Sequence, residues 1–113
     1  MTTQYLPLDT GSTDFGFVDQ KGRACGYMWE IRQMISDTPK SYGAYGVGFS
    51  VEAGEPAFEL LSNPCRNGKG YGPAFNRAIT RTLEEARQIA VKRAEASRKR
   101  DTKKFAEFNK ETA

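Results

Sequence analysis

At 113 residues the chain has the length of one domain. A domain of this size buries roughly two thirds of the surface its unfolded chain exposes, so neither a metal nor a disulfide is needed to support its core. Hydrophobic residues make up 38% and charged residues 27%, the balance of a soluble globular protein with disorder confined to its ends. The net charge of +3 conceals a division, because residues 1–60 carry four Lys/Arg against eight Asp/Glu and residues 61–113 carry thirteen against six. A half this basic attracts a polyanion or an acidic protein surface.

The first fourteen residues, "MTTQYLPLDTGSTD", combine Pro7, Gly11 and several Ser/Thr, and are expected to form a flexible arm. They lack the basic start and apolar segment of a secretion signal, and no run of about 18 apolar residues occurs anywhere in the chain, so the expected location is cytoplasmic with no membrane partner. From Phe15 the pattern alternates. A turn over Asp19–Gly22, with Gly22 supplying the left-handed residue, leads into a strand that places Cys25, Tyr27, Trp29 and Ile31 on one face and Gly26, Met28, Glu30, Arg32 and Met34 on the other. Cys25 and Cys65 have no CxxC spacing, which in a cytoplasmic chain predicts two reduced, half-buried thiols.

Pro39 and its polar neighbours break the chain, and "YGAYGVGFSVEA" then alternates Tyr45, Val47, Phe49 and Val51 against Gly46, Gly48, Ser50 and Glu52. Glycines at 43, 46 and 48 in such a strand predict a face approached closely by another segment or by a ligand. The aromatics Tyr27, Trp29, Tyr45 and Phe49 are expected in the core. "FELLS" reads as a short strand disturbed by Asn63-Pro64, and Asn67-Gly68 as a type I′ hairpin turn that sets Cys65-Arg66 against Lys69-Gly70-Tyr71.

Thr82 with Glu85 forms a capping box, and Leu83, Ala86, Ala90 and Ala94 make an apolar stripe narrow enough for a helix to lie close on a sheet. The stripe stops after Ala96, and residues 98–113 are expected to project as a basic helical extension or to fray. The expected fold is therefore α+β, an antiparallel sheet of four to five strands packed against one long C-terminal helix, with residues 15–97 as the single domain.

The chain contains no histidine. That removes the commonest general base, the Ser-His and Cys-His pairs and most zinc sites, so no catalytic residue, metal or cofactor is expected. Glu84-Glu85 belongs to the helix start and Glu52 with Glu55 brackets a turn. "RNGKGYG" lacks the spacing of a phosphate-binding loop and reads as turn chemistry. Basic residues interspersed with aromatics carry the functional expectation, since phosphate neutralisation and base stacking together bind nucleic acid.

"WEIRQ" (29–33), "NGKGYG" (67–72) and "TRTLEEARQIAVKRA" (80–94) resemble, in that order, the strand, hairpin and helix of AP2-type DNA-binding domains and of the arm-binding modules of phage integrases. That resemblance implies a sheet laid into DNA and contacts from Trp29, Arg32, Arg66 and Lys69; the segment between Arg32 and Asn67 is longer than in those domains. The pattern "GR..GY.W.I", "R.GK.YG" and "T.EEA" also resembles small uncharacterised phage and mobile-element proteins, a likeness that covers more of the chain and implies no activity. Two functions are carried forward. In the first, a non-enzymatic module binds nucleic acid, with DNA favoured, through Arg32, Arg66, Lys69, Arg77, Arg81, Arg93, Arg98, Lys99, Arg100, Lys103 and Lys104. In the second, a phage-type accessory protein inhibits a host defence protein by protein–protein contact, with Phe105 and Phe108 gripping the partner. A homodimer is left open.

Overall fold

A computed structural model describes residues 3–44, 47–67 and 76–112. In chain order these form β1 (Thr3–Val18), β2 (Ala24–Ser36), β3 (Lys40–Ala44), β4 (Val47–Val51), β5 (Pro56–Arg66), β6 (Asn76–Thr80) and α1 (Leu83–Thr112). The first, second, fifth and sixth strands make one antiparallel sheet in the order β1-β2-β5-β6, and β3 and β4 pair as a separate ribbon. One long C-terminal helix packs on the four-stranded sheet, so the fold is α+β. The molecule measures 59 × 25 × 22 Å, elongated because the long strands and a helix of about 45 Å run along the same axis.

The hairpin between β1 and β2 forms for the reason its sequence suggests. Gly22 takes φ 77°, and Asp19 Oδ1 accepts the backbone N–H groups of Lys21 and Arg23, each at 2.9 Å. The returning strand buries Cys25, Tyr27 and Ile31 toward α1, where Ile31, Leu60, Ala78, Ala86 and Ala90 make the main core with Trp29, Phe58, Leu83 and Ile89 around it. Tyr27 donates its hydroxyl to Ser62 Oγ at 2.9 Å inside this layer.

Four expectations need correction. Residues 3–14 are no arm: they belong to β1, which pairs with β2 from Thr3↔Ser36 onward, with register shifts between Pro7 and Asp9 and between Asp14 and Val18. Most β1 side chains are exposed, so the strand is held by the backbone ladder to β2 rather than by an apolar face of its own, and alternation could not reveal it. β5 runs unbroken through Asn63-Pro64 (Met28↔Asn63, Tyr27↔Pro64). Among the described residues the pairing of β5 with β6 ends at Ser62↔Asn76, so Asn63 and Pro64 are followed here only in their ladder to β2. Phe49 is not in the core. It meets Tyr42 at 5.8 Å and lies under the Arg81 guanidinium at 5.3 Å, while a side chain at Gly43 would meet nothing. Tyr45, Gly46, Gly68, Lys69, Gly70 and Tyr71 lie outside the described residues.

The fourth correction concerns the helix, which does not leave the sheet at residue 97. Its inward stripe continues through Ser97, 2% exposed, and Asp101, 9% exposed, to Phe105, whose ring stacks on Phe17 at 5.1 Å. Ala86, Ala90, Ala94, Ser97, Asp101, Phe105 and Phe108 follow an eleven-residue repeat, 3.67 residues per turn, close to the natural period of a straight helix. At the start of α1, Thr82 Oγ1 accepts the Glu85 N–H at 3.2 Å and donates to the Glu85 carboxylate at 2.9 Å, so the cap uses the threonine hydroxyl for both contacts.

Cys25 and Cys65 sit on neighbouring strands but pair with Arg66 and Gly26 respectively. Residues one position apart in register point to opposite faces of a sheet, so the two buried cysteines face apart and form no disulfide with each other. Gly26 is enforced by contact, since a Cβ there would lie 2.4 Å from the Thr13 carbonyl oxygen. A Gly26→Ala variant must therefore push β1 from β2 and is expected to lose about 1–3 kcal/mol of stability. Urea denaturation followed by Trp29 fluorescence measures it, and an unchanged midpoint would show that the sheet edge yields freely.

Candidate functional site

The face of the sheet away from α1 carries a charge cluster. Glu59, 2% exposed, is clamped between Arg32 and Arg77, and the Arg32 guanidinium lies 4.5 Å from the centre of the Tyr5 ring. Register explains the meeting, because Arg32↔Glu59 is a β2–β5 pair and Glu59↔Ile79 puts Arg77 one diagonal away on β6. Burying a carboxylate is costly unless it is paired and hydrogen-bonded in this way. Both arginines are therefore engaged in holding the sheet.

Arg66 is similarly engaged at the far end of β5. Its Nη2 donates to Asp101 Oδ1 at 3.2 Å. Oδ2 lies 3.1 Å from the same nitrogen but off the line of its N–H, so at that oxygen the attraction is coulombic and no hydrogen bond forms. Asp19 Oδ2 lies 3.8 Å from Arg66 Nε and accepts from Arg23 Nε at 2.8 Å. The Asp19 carboxyl is held below its ordinary range chiefly by the backbone N–H of Arg23, with the Arg23 guanidinium and the Lys21 amide adding to it. Burial pushes the neighbouring Cys25 thiol up, a change opposite to the activation a nucleophilic cysteine requires.

Other basic residues also turn inward. Arg87 pairs with Asp9 at 2.8 Å, Arg93 donates to Ser62 Oγ at 3.1 Å, and Arg81 covers Phe49. Each arginine from Arg23 to Arg93 thus has a partner within the fold. The second half of α1 is different. Arg98, Lys99, Arg100, Lys103 and Lys104 are all exposed, and among the described residues none has an ion-pair or hydrogen-bond partner. At 100° per residue Lys92, Lys99, Lys103 and Lys110 fall along the side opposite the buried stripe, over about 27 Å of helix. Arg98 and Arg100 stand on its two flanks.

Of the eleven basic residues expected to bind, the structure brings Arg98, Lys99, Arg100 and Lys103 together on this face and its flanks, turns Lys104 toward the end of β5, places Arg32, Arg66, Arg77, Arg81 and Arg93 in internal contacts, and leaves Lys69 outside the described residues. Phe105 and Phe108 do not project as a free pair, since both are half-buried and Phe105 packs on β1. Lys92 and Lys110 were missed, although their spacing of seven residues from Lys99 and from Lys103 would have found them. No helix among the described residues is long and apolar enough to cross a membrane. No protein-family model, curated protein or solved structure matches the chain.

The role of Arg66 is open to direct measurement. Arg66→Met should lower stability by about 1–3 kcal/mol, because it strands the mostly buried Asp101 carboxylate. Adding Asp101→Leu should restore most of the loss in urea titrations. A single variant as stable as the parent would mean that Arg66 is not a structural latch.

Proposed function

We propose that the protein is a non-enzymatic nucleic-acid-binding module that holds a DNA backbone along the outer face of the second half of α1. The observation that carries this reading is the sorting of cations: arginines in the sheet and on the inner flanks of the helix are partnered, whereas Lys92, Arg98, Lys99, Arg100, Lys103 and Lys110 form one exposed group on a single helix, with no partner among the described residues. Between residues 92 and 110 eight Lys/Arg face three Asp/Glu, and one of those three, Asp101, is already answered by Arg66. Solvation alone accounts for scattered surface lysines; a continuous file of them on a helix pinned to its sheet suits a polyanion better.

The chemistry is that of positioning rather than base reading. Lysines are flexible point charges suited to phosphate, and the outer face holds no aromatic ring and only Arg98, Arg100 and Asn109 at its margins to read a base edge. Binding should thus be largely independent of sequence and steeply salt-dependent. The protein-inhibitor reading loses one of the features that motivated it, because the two phenylalanines are half-buried.

Fluorescence anisotropy with labelled double-stranded DNA, from about 50 to 200 mM salt, should give a log–log slope of about −4 to −5 for five phosphates neutralised. Lys99→Glu with Lys103→Glu should reduce the slope by about 2 and weaken all sequences alike. Absence of binding at the lowest salt would overturn the proposal.

A further inference from the structure

Beside the basic helix face lies a half-open cleft of about 430 Å³, within the roughly 300–1,000 Å³ range of small-ligand sites. One wall is the β1–β2 turn with Lys21 and Arg23, the floor is Arg66 at the end of β5, and the other wall is α1 with Lys104, Phe105 and Phe108. We propose that this cleft takes a phosphate monoester joined to an aromatic base, as found at the 5′-phosphorylated end of a nucleic-acid strand or in a free mononucleotide. For the strand end the inference rests on the DNA-backbone reading above; for the mononucleotide it stands alone.

The charge of the cleft selects the class of anion. Its two carboxylates, Asp19 and Asp101, are each answered by an arginine, Arg23 at 2.8 Å and Arg66 at 3.1 Å. Lys21 and Lys104 remain, exposed and without partners among the described residues, so the cleft holds two positive charges in excess. A phosphate monoester carries about −1.5 to −2 at neutral pH, whereas each phosphate within a strand carries a single charge. The monoester is the better match.

The geometry favours the same ligand. Arg23 and Arg66 are held by their carboxylates before any ligand arrives, so little side-chain freedom is lost when their remaining N–H groups meet phosphate oxygens. Phe105 is fixed by its stack on Phe17, with the ring planes 20° apart, and together with Phe108 gives the cleft an apolar wall against which a base can lie. A phosphotyrosine would also offer a ring and a monoester. It would leave unused the file of cations that begins at Lys103 and Arg100, directly beside the cleft residue Lys104, and that file suits the strand that continues from a terminal nucleotide.

The test compares a short 3′-labelled single strand bearing a 5′-phosphate with the same strand ending in a 5′-hydroxyl, by anisotropy on the full chain, with adenosine 5′-monophosphate titrated by calorimetry. The phosphorylated strand should bind roughly tenfold more tightly, the effect of added charge-assisted hydrogen bonds. That ratio should collapse to about one in Lys21→Glu, a turn residue whose side chain has no hydrogen-bond or ion-pair partner among the described residues, and in Phe108→Ala, while Lys99→Glu with Lys103→Glu should weaken both strands and keep the ratio. Equal affinity of the two strands for the parent protein would overturn the cleft and leave the backbone reading standing. Binding of the mononucleotide, abolished by Lys21→Glu, with neither strand bound, would uphold the cleft and overturn the backbone reading. A phosphotyrosine peptide that binds more tightly than the phosphorylated strand would overturn the assignment to nucleotides.

Discussion

The close approach of α1 to the sheet is the contact on which the rest of the molecule depends. Ala86 and Ala90 are fully buried against Ile31, Leu60 and Ala78, and alanines at these positions let the helix backbone settle near the strands. Larger residues would hold the helix off and open voids that the small facing side chains could not fill. With the first three turns seated this way, the rotation of the helix about its axis is set. Every later residue then has its direction decided by a period of 3.67, and Lys92, Lys99, Lys103 and Lys110 are turned outward as a consequence of where two alanines sit.

The electrostatics follow from that placement. Arginine carries a planar fork of donors suited to a buried carboxylate; the fold sets Nε and Nη2 of Arg32 on Glu59 and a single Nη2 of Arg66 on Asp101. Lysine holds its hydration more strongly and stays outside. The placing of lysines on the outer face, with Arg98 and Arg100 only at its flanks, is therefore a result of desolvation cost, and a residue's partners rather than its charge distinguish support of the fold from an exposed cation. Net charge alone cannot make this distinction, since Arg66 and Lys99 count the same.

Much of the architecture was legible in the sequence for physical reasons that can be named. The β1–β2 turn was visible because Gly22 must be left-handed there, β2 because its side chains alternate, and the helix start because Thr82 and Glu85 stand three apart. β1 was hidden because an edge strand held by one ladder needs no apolar face. The far half of α1 was misjudged because its buried stripe continues through Ser97 and Asp101, which polarity alone assigns to solvent. The spacing was correct throughout; only the residue type misled. The same error placed Arg66, Arg77 and Arg93 on an open surface, for their partners lie 18 to 35 residues away in the chain and no local pattern announces them.

Ser97 and Asp101 have a further consequence. A serine and an aspartate on a buried stripe contribute less than two leucines would, and a buried ion pair is poor support for stability when compared with well-packed apolar side chains. What the Asp101–Arg66 pair supplies is direction. An apolar stripe could slide or roll by a fraction of a turn at modest cost, whereas a carboxylate that must meet one guanidinium at the end of β5 admits one rotation and one axial position. That same pair draws the last turns of α1 over the β1–β2 turn, so Phe105 reaches Phe17 and the cleft closes on three sides. The polar break in the stripe thus holds, at the far end of α1, the rotation that the alanines set, and with it the walls of the cavity next to it.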